Sequence, residues 1–265
     1  MTSATVTEIG SRRQLIAGEW VAAADGRTFD DINPYTGEVF ARIPASGAAD
    51  AKRAIDAAEK AFPAWAKLGA RARQALFLKA ADIVERRADE LVSIMAMETG
   101  ATNAYSRFQI QWSAGLLRQA AGYPYLSAGE IVPSDTPGVF AMAIRRPLGV
   151  VAGISPWNGA LALGLRTVVC PLACGNTVVL KPSEDAPVCA GLVIGEILTE
   201  AGFPPGVVNV ITHAPAEVGP IADQLFESRA VRAYNFTGSS TTGALLAARA
   251  EIGRASCRER VLASV

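Results

Sequence analysis

The chain has 265 residues, half of them hydrophobic, which is enough for one large domain or two small ones. Its 25 Lys and Arg balance 25 Asp and Glu, so it carries no basic field of the kind that draws a nucleic acid. The first fifteen residues lack an apolar signal core, and the uncharged run 147–165 holds two prolines and four glycines; a buried strand, turn and helix is expected there rather than a membrane span, and a cytoplasmic location follows.

In chain order, residues 15–43 read as short strands with turns: a strand over 15–21, a turn at Asp25-Gly26, a strand at 28–30, a Pro/Gly turn over 33–38 and a strand at 39–43. Helices dominate from Ala48 to about Gly122, with Ala51, Ile55, Ala58 and Phe62 at helical spacing and Asp50 placed to cap the first helix. Around the turn 135–138, two apolar runs at 130–133 and 139–146 predict a β-hairpin. An isolated hairpin is marginal in water, which favours one that projects and pairs with another subunit; a hairpin packed on its own domain is the alternative.

From Gly149 onward strand and helix alternate. Strands are expected at 150–154, 177–180, 207–211 and 231–236, and helices at 160–173, 188–201, 216–226 and 243–250, with Pro171 bending or ending the first of these. The repeat predicts an α/β fold: a doubly wound, Rossmann-like parallel sheet with right-handed crossovers, helices at the amino terminus and a protruding β-hairpin. The organisation expected is amino-terminal strands and helices over 1–125, the hairpin over 126–147, the dinucleotide-binding core over 148–250, and an atypical tail over 251–265.

The four cysteines, Cys170, Cys174, Cys189 and Cys257, lack the paired spacing and histidines of a zinc site, so no metal is expected. His213 is the only histidine, and no GxSxG elbow accompanies it. The GxGxxG fingerprint is missing as well. The glycine-rich turn comes instead after the fourth strand, as Thr237-Gly238-Ser239-Ser240-Thr241-Thr242-Gly243, where small residues and a helix amino terminus suit a phosphate. A plain strand-to-helix turn is its alternative. Lys181 and Glu184 close the second strand and suit the ribose hydroxyls of an adenosine; a surface lysine and a helix-capping glutamate are the bland reading. Asn158, after Pro156-Trp157, suits an oxyanion donor or a helix cap.

Together these pieces resemble the aldehyde dehydrogenase superfamily. The resemblance rests on Pro156-Trp157-Asn158, the stretch 171–177, Lys181-Pro182-Ser183-Glu184, the stretch 201–209 and Phe236-Thr237-Gly238-Ser239, and it runs over about residues 12–250, taking in Asn33-Pro34 and Glu98-Thr99-Gly100. The wording of 153–158 and 171–176 is most similar to the branch acting on aromatic aldehydes such as salicylaldehyde, benzaldehyde or vanillin. The resemblance implies NAD as cofactor, with NADP an alternative: Glu184 would repel a 2′-phosphate, whereas Lys181 could accept one. It also implies a small aldehyde as substrate and a homo-oligomer as the assembly. Asn158 would be the oxyanion-hole donor; Lys181 and Glu184 would hold the ribose and Ser239 the pyrophosphate, while Ile154, Ser155 and Trp157 would line the cleft together with Ser183, Gly238 and Gly243.

Members of that family run to about twice this length. Their Glu-Leu-Gly-Gly-Lys stretch is expected just past the fourth helix, where this chain reads Glu251-Ile252-Gly253-Arg254. The expectation is therefore a cofactor-binding portion with the catalytic domain absent, inactive on its own, and a tail foreign to the family. Cys257, among Arg254, Arg258 and Arg260, is a poor substitute nucleophile for want of context. A non-catalytic nucleotide-binding module that oligomerises through the hairpin, and a fragment without function, are the other readings.

Overall fold

The structure is a computed structural model and describes residues 11–126, 128–252 and 261–263. The first element is a hairpin, β1 (Gln14–Ile16) and β2 (Glu19–Val21), where a single strand over 15–21 is predicted. Ala17 and Gly18 both take positive φ, 57° and 85°, the backbone of a tight two-residue turn. Alanine in the left-handed region carries little sequence signal, so the turn is masked by apolar neighbours. Asn209 Oδ1 accepts the Ala17 N–H at 2.9 Å and holds the turn in place. A separate two-stranded sheet follows, β3 (Thr28–Ile32) with β4 (Val39–Pro44).

Helix α1 (Ala48–Lys67) presents Ala51, Ala54, Ile55 and Ala58, all buried. Gly47, not Asp50, is its N-cap. Asp50 sits in the first turn and takes the Ala24 N–H at 3.0 Å and Gln14 Nε2 at 3.0 Å, tying the hairpin and its following loop to the helix start. Helices α2 (Ala70–Arg86), α3 (Ala88–Thr99) and α4 (Asn103–Ala120) then form a layer. Strands β5 (Gly129–Val132) and β6 (Ala141–Ile144) make the expected hairpin as an independent two-stranded sheet. Its Ile131, Phe140, Met142 and Ile144 are all exposed.

The remaining elements alternate: β7 (Val150–Ser155), α5 (Ala160–Ala173), β8 (Thr177–Pro182), α6 (Val193–Ala201), β9 (Val208–Val210), α7 (Val218–Glu227), β10 (Val231–Phe236), α8 (Ser240–Ile252) and β11 (Val261–Ala263). The strands lie in the order β11-β10-β7-β8-β9-β1-β2; β11 to β9 are parallel, and the β1–β2 hairpin adds antiparallel to β9. From β7 the sheet grows one way through β8 and β9, then returns to place β10 on the other side of β7. The apolar, β-branched runs of β7 and β8 are buried on both faces, as a parallel sheet requires. Helix α5 covers one face with α2 and α4 behind it, and α1 packs with α7 on the other.

The predicted helix over 188–201 opens as a π-helical turn, Val188–Leu192, before α6. Its first two N–H groups, of Val188 and Cys189, go to the two oxygens of the buried Glu98 carboxylate at 2.6 and 2.7 Å. Gly206 marks another joint: its φ is +79°, and a Cβ there would stand 2.8 Å from Ala57 O on α1. Gly206→Ala is expected to cost about 1–3 kcal/mol in urea unfolding, because strain and a backbone clash coincide; a loss below 0.5 kcal/mol would show that α1 yields freely. No helix among the described residues is long and apolar enough to cross a membrane.

Candidate nucleotide-binding site

The carboxyl ends of β7 and β10 lie side by side at the point where the strand order reverses, the place where an open α/β sheet leaves a crevice. A cleft of about 350 Å³ opens there. Of the residues singled out in the sequence, Ile154, Ser155, Trp157, Lys181, Ser183, Glu184, Gly238 and Ser239 line it. Asn158 and Gly243 do not. Asn158 is exposed beside the cleft mouth, one residue before Gly159, which is the N-cap of α5. Gly243 lies in the first turn of α8, where a Cβ would meet the Phe236 ring at 3.2 Å, and at Gly238 a Cβ would meet the same ring at 2.5 Å. Both glycines make room for Phe236 to fold beneath the turn, a packing requirement that spacing alone cannot distinguish from phosphate approach.

The lining hydroxyls are engaged within the protein. Ser155 Oγ donates to Ala190 O at 3.2 Å, fastening the end of β7 to the π-helical turn. Ser239 Oγ accepts the Thr242 N–H at 3.2 Å and so caps α8. The far wall is apolar and was missed in the sequence: Val218, Ala222 and Phe226 of α7, with Phe236 below. Phe226 stacks on Tyr234 with centroids 4.6 Å apart, and Tyr234 Oη donates to Leu225 O at 2.8 Å. The helical spacing of Val218, Ala222, Leu225 and Phe226 was the available signal, yet spacing does not say that part of a face borders a cleft instead of the core.

The sequence also missed His213. It follows β9, has a side chain with 0 % exposure, and sits 2.6 Å through Nε2 from Lys181 Nζ. Its Nδ1 lies 3.0 Å from Ala214 O, which fixes Nδ1–H as donor and leaves Nε2 as the acceptor of the lysine proton. Burial, then the Lys181 charge, pull His213 down to about 4, so it is neutral near pH 7. Burial pulls Lys181 down to about 8, against the opposing pull of Glu184.

Burial raises the thiols of Cys170, Cys174 and, most strongly, Cys189, where the Glu98 charge adds to it. None of the three lines the cleft, and Cys257 lies outside the described residues.

The fold is that of a doubly wound α/β protein with a crevice at its switch point, lined by Lys181, Glu184 and the turn before α8. The chain belongs to the aldehyde dehydrogenase family, which it matches over residues 20–259. That stretch takes in residues 251–259 of the segment set apart above as atypical. The vanillin dehydrogenase of Pseudomonas fluorescens is 47% identical over 232 residues, covering 88% of this chain and 48% of that protein. The salicylaldehyde dehydrogenase of Pseudomonas putida G7, solved in complex with salicylaldehyde, superposes with a TM-score of 0.90 at 35% identity, over 94% of this chain and 51% of the other. An NAD-dependent benzaldehyde dehydrogenase of Corynebacterium glutamicum gives 0.88 at 34% identity, over 98% and 55%. The chain thus spans about half the length of the relatives it matches.

Proposed function

We propose that this chain is the cofactor-binding portion of an NAD-dependent aldehyde dehydrogenase that oxidises aromatic aldehydes to carboxylic acids. The observation that carries the reading is the cleft at the switch point, with Lys181 and Glu184 on one side and the amino terminus of α8 on the other. Its chemistry fits the cofactor. Ammonium donors beside carboxylate acceptors suit two neighbouring ribose hydroxyls, and about 350 Å³ suits a nucleotide. Lys181 and Glu184 would hold the ribose. The N–H groups at the start of α8 would meet the pyrophosphate, and the apolar side of α7 with Ile154 would take the adenine. Glu184 would oppose a 2′-phosphate and so favours NAD over NADP. When bound, NAD supplies the hydride acceptor. Asn158, at the mouth, would donate its amide N–H to the oxygen of an aldehyde as negative charge grows there. The exposed apolar side chains of the β5–β6 hairpin support pairing with a second copy of the chain. The names of the similar dehydrogenases support aromatic aldehydes as the substrate class.

Titrating the purified chain with NAD, followed by quenching of tryptophan fluorescence from Trp157, tests the reading. Saturable binding is expected. Lys181→Gln should weaken it roughly tenfold or more, since a hydrogen bond from a charged group is lost. Glu184→Gln should weaken NAD and strengthen NADP. Absence of saturable binding, or wild-type affinity in both variants, overturns the assignment. The described cysteines are raised in pKa and stand away from the cleft, so residues 1–265 alone are expected to form no NADH from benzaldehyde.

A further inference from the structure

His213 is a buried titratable group behind the cleft wall, in contact with Lys181, that the proposed function leaves without a part. We propose that His213 is a positioning residue for the cofactor: its neutral Nε2 holds the Lys181 ammonium at the cleft wall, so that the lysine meets the adenosine ribose and leaves Glu184 free to do the same. This rests on the nucleotide-binding reading and extends it to a residue that does not itself line the cleft.

The geometry makes a fixed relay. The loop carrying His213 is pinned through its neighbour, because Thr212 Oγ1 donates to Pro44 O at 2.8 Å and Thr212 O accepts the Ser46 N–H at 3.0 Å. The ring is fixed by Nδ1–H to Ala214 O, so Nε2 presents a lone pair to Lys181 at 2.6 Å. A second ammonium proton reaches Pro182 O at 3.4 Å, which leaves the third for a ligand. Glu184 Oε2 stands 3.8 Å from the same Nε2. Glu184 is the charged group that bears on Lys181, and Lys181 and Glu184 both bear on His213. Without the imidazole acceptor a buried ammonium has two courses. It can close onto Glu184, consuming the carboxylate that the ribose needs, or it can lose its proton. Either course weakens the ribose contact.

The bland alternative is a histidine that only fills space. Leucine at position 213 keeps the bulk and cannot accept a hydrogen bond; glutamine restores an acceptor. NAD and NADP affinities are measured by tryptophan quenching from pH 6.5 to 9.5 for wild type, His213→Leu and His213→Gln. Wild-type NAD affinity should fall as pH rises through about 8, where Lys181 loses its proton. His213→Leu should bind NAD roughly tenfold more weakly at pH 7.5, and its alkaline fall should begin at lower pH. His213→Gln should restore both. A Leu variant with wild-type affinity and profile overturns the proposal, and so does a Gln variant as impaired as the Leu one. In parallel, the pH dependence of Lys181 acylation is followed by peptide mass spectrometry on the unliganded proteins, where the half-point should move in His213→Leu and return in His213→Gln. If wild type binds no NAD, the nucleotide reading falls; the labelling then judges the His213–Lys181 link alone, and an unmoved half-point overturns it.

Discussion

Trp65→Ala should lower the unfolding free energy by about 3–5 kcal/mol, a large share of what a domain of this size has to lose. Trp65 is 2 % exposed near the end of α1, and its ring lies 5.5 Å from that of Phe203, which in turn packs edge-on to Phe77 of α2. Its indole N–H donates to Leu172 O, in the last turn of α5, at 3.1 Å. One side chain therefore joins the helix on one face of the sheet to the layer on the other. Truncation leaves a cavity and also removes a buried hydrogen bond to Leu172 O, which keeps the Gly175 N–H at 3.0 Å, and the two losses add. Trp65→Phe separates them: it keeps much of the volume and should cost about 1–2 kcal/mol for the hydrogen bond. Urea midpoints of the two variants check the ordering. A Phe variant as unstable as the Ala variant would place the whole effect in the hydrogen bond.

Asp31→Asn should act in the opposite direction and stabilise the protein, increasingly so as pH rises. Asp31 is 4 % exposed, its Oδ2 has no hydrogen-bond partner among the described residues, and burial together with the Glu98 charge pushes its carboxyl up to about 9. Burial raises Glu98 as well. A carboxyl whose folded pKa stands above its unfolded one makes the folded state the better proton binder, so wild-type stability is greatest below about pH 4 as far as this group decides it. That stability drains away between there and about pH 9. Asparagine offers the same shape with no proton to lose. Unfolding curves for both proteins should therefore diverge from about pH 4 upward, reaching a gap on the order of a few kcal/mol by pH 8. Parallel curves across that range would mean that Asp31 does not titrate across this window.

Much of the architecture was readable because long apolar runs punctuated by glycine and proline mark buried parallel strands. The strand expected at 231–236 is the one observed, and β7 and β8 differ from expectation only at their ends. What stayed hidden depends on distant partners. The turn at Ala17 relies on Asn209, and Asp50 caps the helix from its third position, through the Gly47 N–H at 3.5 Å, while also tying the hairpin to the helix. His213 acquires meaning only beside Lys181, 32 residues away. The family wording itself divides into two kinds. Asn176 takes the N–H groups of Leu148 and Gly149 and donates to Pro171 O; Asn209 donates to Gly206 O; and Glu98 receives the start of the 188–192 turn. These are joints of the scaffold. Lys181, Glu184 and Gly238 face the cleft. Sequence alone presents both kinds as motifs, since a buried asparagine with three partners tolerates replacement as poorly as a ligand-binding lysine does.

The position of β10 beside β7 carries a consequence for how the protein comes into being. Val231 pairs with Val150, so the two walls of the cleft come from chain segments made far apart, with β8 and β9 produced between them. Lys181 and Glu184 emerge early and the turn at Gly238 late, and until β10 crosses back there is only half a groove. Such long-range pairing is slow to form. On the proposed function, nucleotide affinity should therefore arrive during synthesis or refolding as a single late event and not build up strand by strand, which makes the ligand a clock for the docking of β10.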